Sequence, residues 1–264
     1  MPTVRTNGAE IHYDETGHGD PLVLIPGLGA HSNIWGPYPR LFSERMRVVT
    51  YDPRGLGRST TGEKELSVEL MASDVKAVLD ALNIEKSVLL GASMGALVAL
   101  RFAVDYPESA VKLVLVTPAA VRSRYGEWLF DVMRLLKENL SSEEYVRAMV
   151  MLAFAPPFFD KSYGMVKEVS RMLTPSDNEL EQIGRQLSCL KDADIPSETG
   201  TVQTPTLIIA GERDVLAPIE GARKLASKLR RCRLMSLPGV GHSPFVEAPE
   251  EVVNAINEFL QQTA

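Results

Sequence analysis

The sequence predicts an α/β protein: a mostly parallel sheet with helices on both faces and a helical cap inserted between two late strands. Three observations predict it. Short, near-continuous apolar runs recur along the chain, the pattern of strands buried on both faces. Helical patterns separate most of these runs, as parallel crossovers require. The residues with most chemistry to offer fall just after apolar runs, where an open parallel sheet gathers its ligands.

Residues 4–16 read as an N-terminal hairpin. Strand runs follow at 22–25 and 47–51. Val68, Met71, Val75, Val78, Leu79 and Leu82 then fall near helical spacing and form the inward face of a helix. A strand at 87–90 leads into a Gly-rich turn and a helix carrying Leu97, Leu100 and Val104, and a further strand lies at 112–116. Residues 120–200 hold no strand pattern and read as helices. Ser141 with Glu144 has capping-box spacing, and Thr174-Pro175 reads as an N-cap followed by proline at the first helical position. Strands return at 206–210 and 233–237, with a helix opened by Pro218 between them and a last helix from about Pro249. The core is therefore expected to comprise residues 1–119 and 201–264, and the cap residues 120–200. An insertion between two parallel strands leaves and returns at the carboxyl edge of the sheet, so the cap is expected over the crevice there. There are no internal repeats and no low-complexity segments.

The run Gly91-Ala92-Ser93-Met94-Gly95 is G-x-S-x-G between strand and helix. So tight a turn leaves little room for side chains, which glycines at 91 and 95 supply. It lifts the Ser93 hydroxyl above the sheet and aims the Met94 N–H at any oxyanion formed there. A serine hydroxyl is a weak nucleophile and needs a base, which in turn needs an orienting acid. Of the four histidines, His12 and His18 belong to the hairpin and its loop, and His31 to a Gly-rich loop. His242, in the loop Pro238-Gly239-Val240-Gly241-His242-Ser243-Pro244, stands where the order serine, acid, histidine places the base. Asp214, just past the run at 206–210, is the favoured acid. Glu212 sits closer to the strand end, and Asp192 and Asp194 lie in a polar stretch before it.

Five stretches now carry a resemblance: Leu24-Ile25-Pro26-Gly27-Leu28-Gly29, Tyr51-Asp52-Pro53-Arg54-Gly55-Leu56-Gly57-Arg58-Ser59, Gly91-Ala92-Ser93-Met94-Gly95, Gly211-Glu212-Arg213-Asp214 and Gly241-His242-Ser243-Pro244. In this order they resemble the α/β-hydrolase superfamily, in its small serine carboxylesterase and enol-lactonase-like group. The resemblance implies an α/β-hydrolase fold, a catalytic triad of Ser93, Asp214 and His242, and a second oxyanion donor at the Leu28 N–H. It also implies that Asp52 and Arg54 form a scaffold ion pair bracing the turn after their strand. Pro26 departs from the pattern, since most of the family has histidine there. Proline lacks an N–H, but the expected donor lies two residues on. Serine at position 93 separates the chain from haloalkane dehalogenases and epoxide hydrolases, which use aspartate at the elbow.

These residues imply hydrolysis of carboxylic esters with small to medium apolar acyl groups through an acyl-enzyme. An enol-lactonase, perhydrolase or acyltransferase shares the same machinery, and a ligand receptor on a hydrolase scaffold is the reading of another class. No cofactor or metal is expected, because no cluster has ligand spacing and no G-x-G-x-x-G follows a strand. The cap is rich in large apolar residues, and Trp128, Met133, Phe154, Phe158 and Phe159 are expected to line an apolar pocket above Ser93. Two prolines mark Ala155-Pro156-Pro157-Phe158-Phe159 as a hinge or lid tip. A lactonase for dicarboxylates needs cations in that pocket, and Arg122, Arg124 and Arg134 are the nearest, though solvated positions suit them better.

At 264 residues the chain supports one large α/β domain, with 45% hydrophobic and 23% charged residues. A net charge of −6 disfavours nucleic acid and anionic membranes as partners. Only Cys189 and Cys232 are present, too few for a disulfide framework. The N-terminal residues lack the apolar core of a signal peptide, and no run reaches membrane-spanning length. A cytoplasmic enzyme acting on a small-molecule ester or lactone is expected, with the cap face offering a surface for a homodimer.

Overall fold

The computed structural model describes residues 2–119 and 123–262. Eight strands form one sheet: β1 (Thr3–Thr6), β2 (Ala9–Thr16), β3 (Asp20–Ile25), β4 (Met46–Tyr51), β5 (Ser87–Ala92), β6 (Ala110–Val116), β7 (Thr206–Gly211) and β8 (Cys232–Leu237). Their order is β1-β2-β4-β3-β5-β6-β7-β8. The N-terminal hairpin joins β4 antiparallel, and every later pairing is parallel. The helices are α1 (Tyr38–Phe42), α2 (Val68–Ala81), α3 (Met94–Asp105), α4 (Arg124–Asn139), α5 (Ser142–Ala153), α6 (Pro156–Met172), α7 (Asp177–Asp192), α8 (Ile219–Lys228), α9 (Pro244–Glu247) and α10 (Pro249–Gln261). Among the described residues no helix is long and apolar enough to cross a membrane.

Successive strand residues face opposite sides of a sheet, and both sides here are apolar. Val23, Ile25, Leu89, Leu113, Leu115 and Ile208 pack beneath α2, α3 and α8. Their neighbours Leu22, Leu24, Leu90, Val114, Leu207 and Ile209 pack with Phe42 of α1 and with Val252, Ile256 and Phe259 of α10. The alternation of two apolar faces makes each strand read as one continuous run. At the far end of α10, the buried Lys112 ammonium donates to the carbonyls of Phe259, Leu260 and Gln262 at 3.0, 2.8 and 2.7 Å. It thereby satisfies groups that a helix C-terminus leaves open.

Helices α4 to α7 fill the chain between β6 and β7 and build their own apolar cluster, including Met133, Tyr145, Val146, Val150, Val166 and Leu187. Ser141 and Glu144 close the capping box that starts α5. Thr174 does not start α7. Its hydroxyl donates to the Ser170 carbonyl at 3.0 Å and closes α6, while Ser176 and Glu179 form the capping box of α7. Pro218 stands one residue earlier than expected, as the N-cap of α8.

The expected Asp52–Arg54 ion pair is not formed. The Arg54 guanidinium instead makes a buried two-pronged contact with Asp74 of α2, at 2.7 and 2.6 Å. Asp52 receives Arg58 Nε at 2.8 Å and the N–H groups of Ser32 and Arg58, both at 3.0 Å. Two residues apart on one turn, Asp52 and Arg54 leave in different directions, and each finds a partner on a separate segment.

Candidate active site

The turn from β5 into α3 is held by contacts that exclude side chains. A Cβ on Gly91 would lie 2.2 Å from the Gly95 carbonyl oxygen, and one on Gly95 would lie 2.2 Å from that of Ile25. Both obstacles are backbone, so neither can yield cheaply. Between the glycines Ser93 adopts φ 54° and ψ −117°, a strained conformation for a residue with a side chain. Its N–H is anchored to the Val116 carbonyl at 2.8 Å, tying the turn to β6.

Ser93 Oγ lies 3.0 Å from His242 Nε2, and His242 Nδ1 lies 2.7 Å from Asp214 Oδ2. The structure thus brings together Ser93, Asp214 and His242, from the ends of β5, β7 and β8. An ionised carboxylate only accepts, so Nδ1 carries the proton and Nε2 is free to accept from the serine. Asp214 has no exposed side-chain surface. Its second oxygen accepts the N–H groups of Leu216 and Ala217, both at 2.8 Å, so the buried charge is fully hydrogen-bonded. Glu212 stays exposed beside it.

The histidine loop is tied to the cap. The His242 N–H donates to the Ala153 carbonyl at 2.7 Å, at the end of α5. Glu247 Oε2 accepts from Gly241 at 3.0 Å and from Ala155 at 3.0 Å, and its Oε1 accepts from Ser243 at 3.2 Å. The segment from Ala155, expected as a hinge or lid tip, is therefore pinned where it meets the site, and Pro156 and Pro157 occupy the first turn of α6. Glu247 carried no motif signal of its own.

The Leu28 and Met94 N–H groups have no hydrogen-bond partner among the described residues. Leu28 belongs to the loop after β3, and Met94 opens α3. Gly27 brings that loop against the serine: a Cβ there would lie 3.2 Å from Ser93 Cβ. The next residue, Gly29, donates its N–H to Gln186 Oε1 of α7 at 2.7 Å.

Above Ser93 lies a cavity of about 260 Å³, walled on the core side by Leu28, Trp35, Tyr38 and Phe245 and on the cap side by helices α4 to α7. None of its described lining residues is Lys, Arg, Asp or Glu. Of the five cap residues expected there, Met133 and Phe154 line it. Trp128 does not: it is 75% exposed. On α4 the inward stripe runs through Leu129, Phe130 and Met133, which turns Trp128 outward with Val132 and Leu135. Phe158 and Phe159 also fall outside the lining. Phe158 stacks on Phe154 with ring centroids 5.3 Å apart, and Phe159 meets it edge-on at 6.2 Å. Sequence reasoning missed Tyr145, although Tyr145, Val146, Met149, Val150 and Ala153 carry the helical spacing of one α5 face, and all line the cavity. Arg134 is exposed and pairs with Glu138, Arg124 is exposed at the start of α4, and Arg122 lies outside the described residues.

A nucleophile turn, a base and an acid at the carboxyl edge of this sheet define a hydrolase of the α/β type. A family model described as the alpha/beta hydrolase fold matches residues 20–249, and the chain belongs to that family. It is 30% identical to the pimeloyl-acyl-carrier-protein methyl ester esterase of Nitrosomonas europaea, over 94% of this chain and 99% of that protein. It is 27% identical to RutD of Caulobacter sp. strain K31, provisionally assigned as a carbamate hydrolase, over 97% of this chain and 96% of that one. In three dimensions it matches the enol-lactonase of Burkholderia xenovorans LB400 with a TM-score of 0.89. That match covers 99% of this chain and 100% of that one at 22% identity, a likeness of fold.

Proposed function

We propose that the protein is a serine hydrolase cleaving carboxylic esters of small to medium apolar acyl groups through an acyl-enzyme. The observation that carries this reading is the unbroken hydrogen-bonded run Ser93–His242–Asp214, opening on a cavity with no charged described lining residue. His242 takes the serine proton as Oγ attacks the ester carbonyl. The Leu28 and Met94 N–H groups receive the oxyanion, a contribution of several kcal/mol in sites of this design. The imidazolium then protonates the leaving alcohol, and a water activated by the same histidine releases the acid. Asp214 holds the tautomer throughout and stabilises the cation. The esterase relative at 30% identity supports an ester as substrate. The predominantly apolar lining suits an apolar acyl group.

The test is steady-state hydrolysis of p-nitrophenyl esters with acyl chains of two to twelve carbons. Activity is expected to peak at short or medium chains, and Ser93→Ala and His242→Gln to lower kcat by about 10⁴-fold or more with the fold unchanged. Full activity in Ser93→Ala would overturn the nucleophile assignment.

A further inference from the structure

The backbone is held on both sides of His242 by one side chain. The N–H groups of Gly241 and Ser243, the residues before and after it, both donate to Glu247 of α9. Gly241 reaches Oε1 and Oε2 at 3.1 and 3.0 Å, and Ser243 reaches Oε1 at 3.2 Å. The Ala155 N–H, at the junction of α5 and α6, completes the set on Oε2 at 3.0 Å. A contact runs back the other way, from the His242 N–H to the Ala153 carbonyl at 2.7 Å. A bond from Ser243 alone would serve to cap α9. Those from Gly241 and Ala155 lie outside that helix, so capping does not account for them.

The packing around Gly241 points the same way. A Cβ there would lie 2.7 Å from both the Ala153 carbonyl oxygen and the Ala155 nitrogen, and 3.0 Å from Glu247 Oε1. Its φ lies outside the left-handed region, so crowding and not backbone conformation calls for glycine. The histidine loop and the cap junction therefore meet backbone to backbone, with the Glu247 carboxylate against both.

We propose that Glu247 is the positioning residue for the base: its carboxylate sets His242 against Ser93 and Asp214, and ties that setting to the seating of the cap. This role rests on the ester-hydrolase reading. A carboxylate offers two acceptor oxygens and no donor, which suits converging N–H groups from Gly241, Ser243 and Ala155. Glutamine has the same shape but one acceptor oxygen, and its amide N–H groups would face at least one of these donors. The loop must then shift, and with it a ring that meets Ser93 Oγ at 3.0 Å and Asp214 Oδ2 at 2.7 Å. A displacement of about 1 Å between reacting groups can slow a reaction by about a hundredfold.

The experiment compares wild type with Glu247→Gln on a short-chain p-nitrophenyl ester. Turnover is counted per serine titrated to completion with a fluorophosphonate, so unfolded protein does not enter. In the variant, kcat per site is expected to fall by roughly 10- to 100-fold, with KM changed by less than about twofold. The low-field proton resonance of His242 Nδ1–H, which reports the bond to Asp214, is expected to shift or vanish. Ala155→Pro is the second variant. Ala155 has φ −65° and follows an extended residue, so proline suits the backbone and removes the N–H that binds Glu247. It is expected to lower kcat per site in the same direction, and it decides the matter if Glu247→Gln does not fold. A kcat per site within about twofold of wild type in a folded variant, whatever its melting temperature, would overturn the proposal and leave Glu247 a packing contact. If the wild type turns over no ester, the hydrolase reading itself fails. The resonance needs no substrate and then decides the role of Glu247: a shift in Glu247→Gln supports it, and an unchanged signal overturns it.

Discussion

At the scale of single residues, the proposed reaction depends on backbone groups that cannot be mutated, so their positions rest on neighbouring side chains. Gln186 is the clearest case. It is 1% exposed on a cap helix, and its oxygen receives Gly29 immediately after the Leu28 N–H. Its own amide nitrogen goes unpaired. Gln186→Leu removes the acceptor and strands a backbone donor, a loss of about 1–3 kcal/mol. We expect kcat to fall by roughly tenfold or more with KM little changed. Affinity for a trifluoromethyl ketone, which presents an oxyanion, is expected to fall in step with kcat/KM. A change in melting temperature alone, with that affinity intact, would reduce Gln186 to a packing residue. At this scale the sequence was informative wherever a residue type is chemically rare. With four histidines and one G-x-S-x-G, little choice remained. Gln186 and Glu247 were illegible because glutamine and glutamate are common, and their partners lie 157 and up to 92 positions away.

At the scale of elements, the strands were readable because each is buried on both sides and needs apolar residues throughout. Helix starts are readable where capping-box spacing is noticed, as at Ser141; the start of α7 is misplaced because Thr174-Pro175 carries an N-cap signal two residues before Ser176, the actual cap. The Trp128 error has a related origin. The cap presents apolar residues on more than one face of α4, and composition cannot say which face turns inward. The pairing of Arg54 was equally hidden, since it joins the turn after β4 to the middle of α2. Both side chains of that pair are 2% exposed. Removing one partner leaves a buried charge uncompensated, so Arg54→Met is expected to cost about 3–5 kcal/mol. Urea denaturation measures it, and a loss below about 1 kcal/mol would mean that water reaches Asp74 in the variant.

At the scale of the whole molecule, the loops above the sheet are joined by charge as well as by packing. The Asp52 side chain is completely enclosed. Burial by itself raises its carboxyl, but contacts from His31, Arg58 and Ser32 outweigh that and hold it well below the usual carboxylate range. A folded-state value below the unfolded one contributes stability above the unfolded value near 3.9 and loses it as pH falls past that point. The melting temperature is therefore expected to drop between about pH 5 and pH 3. Asp52→Asn is expected to lower it at neutral pH while flattening that acid decline. An equally steep decline in the variant would assign the acid sensitivity elsewhere.

The parallel pairing of β6 with β7 spans the entire run of cap helices, residues 117–205. Closing so long a stretch of chain costs entropy before any strand contact repays it. The insertion packs on an apolar cluster of its own, including Met133, Tyr145, Val146 and Leu187. His242 and Asp214 both lie beyond it in the chain, and the histidine loop is then fastened to the insertion through Ala153. The proposed triad is therefore complete only when the strands on both sides of the insertion are in place. A chain with β5 formed but β7 and β8 undocked has the nucleophile turn without the base and its acid, so the proposed chemistry is a property of the finished sheet and of no part of it.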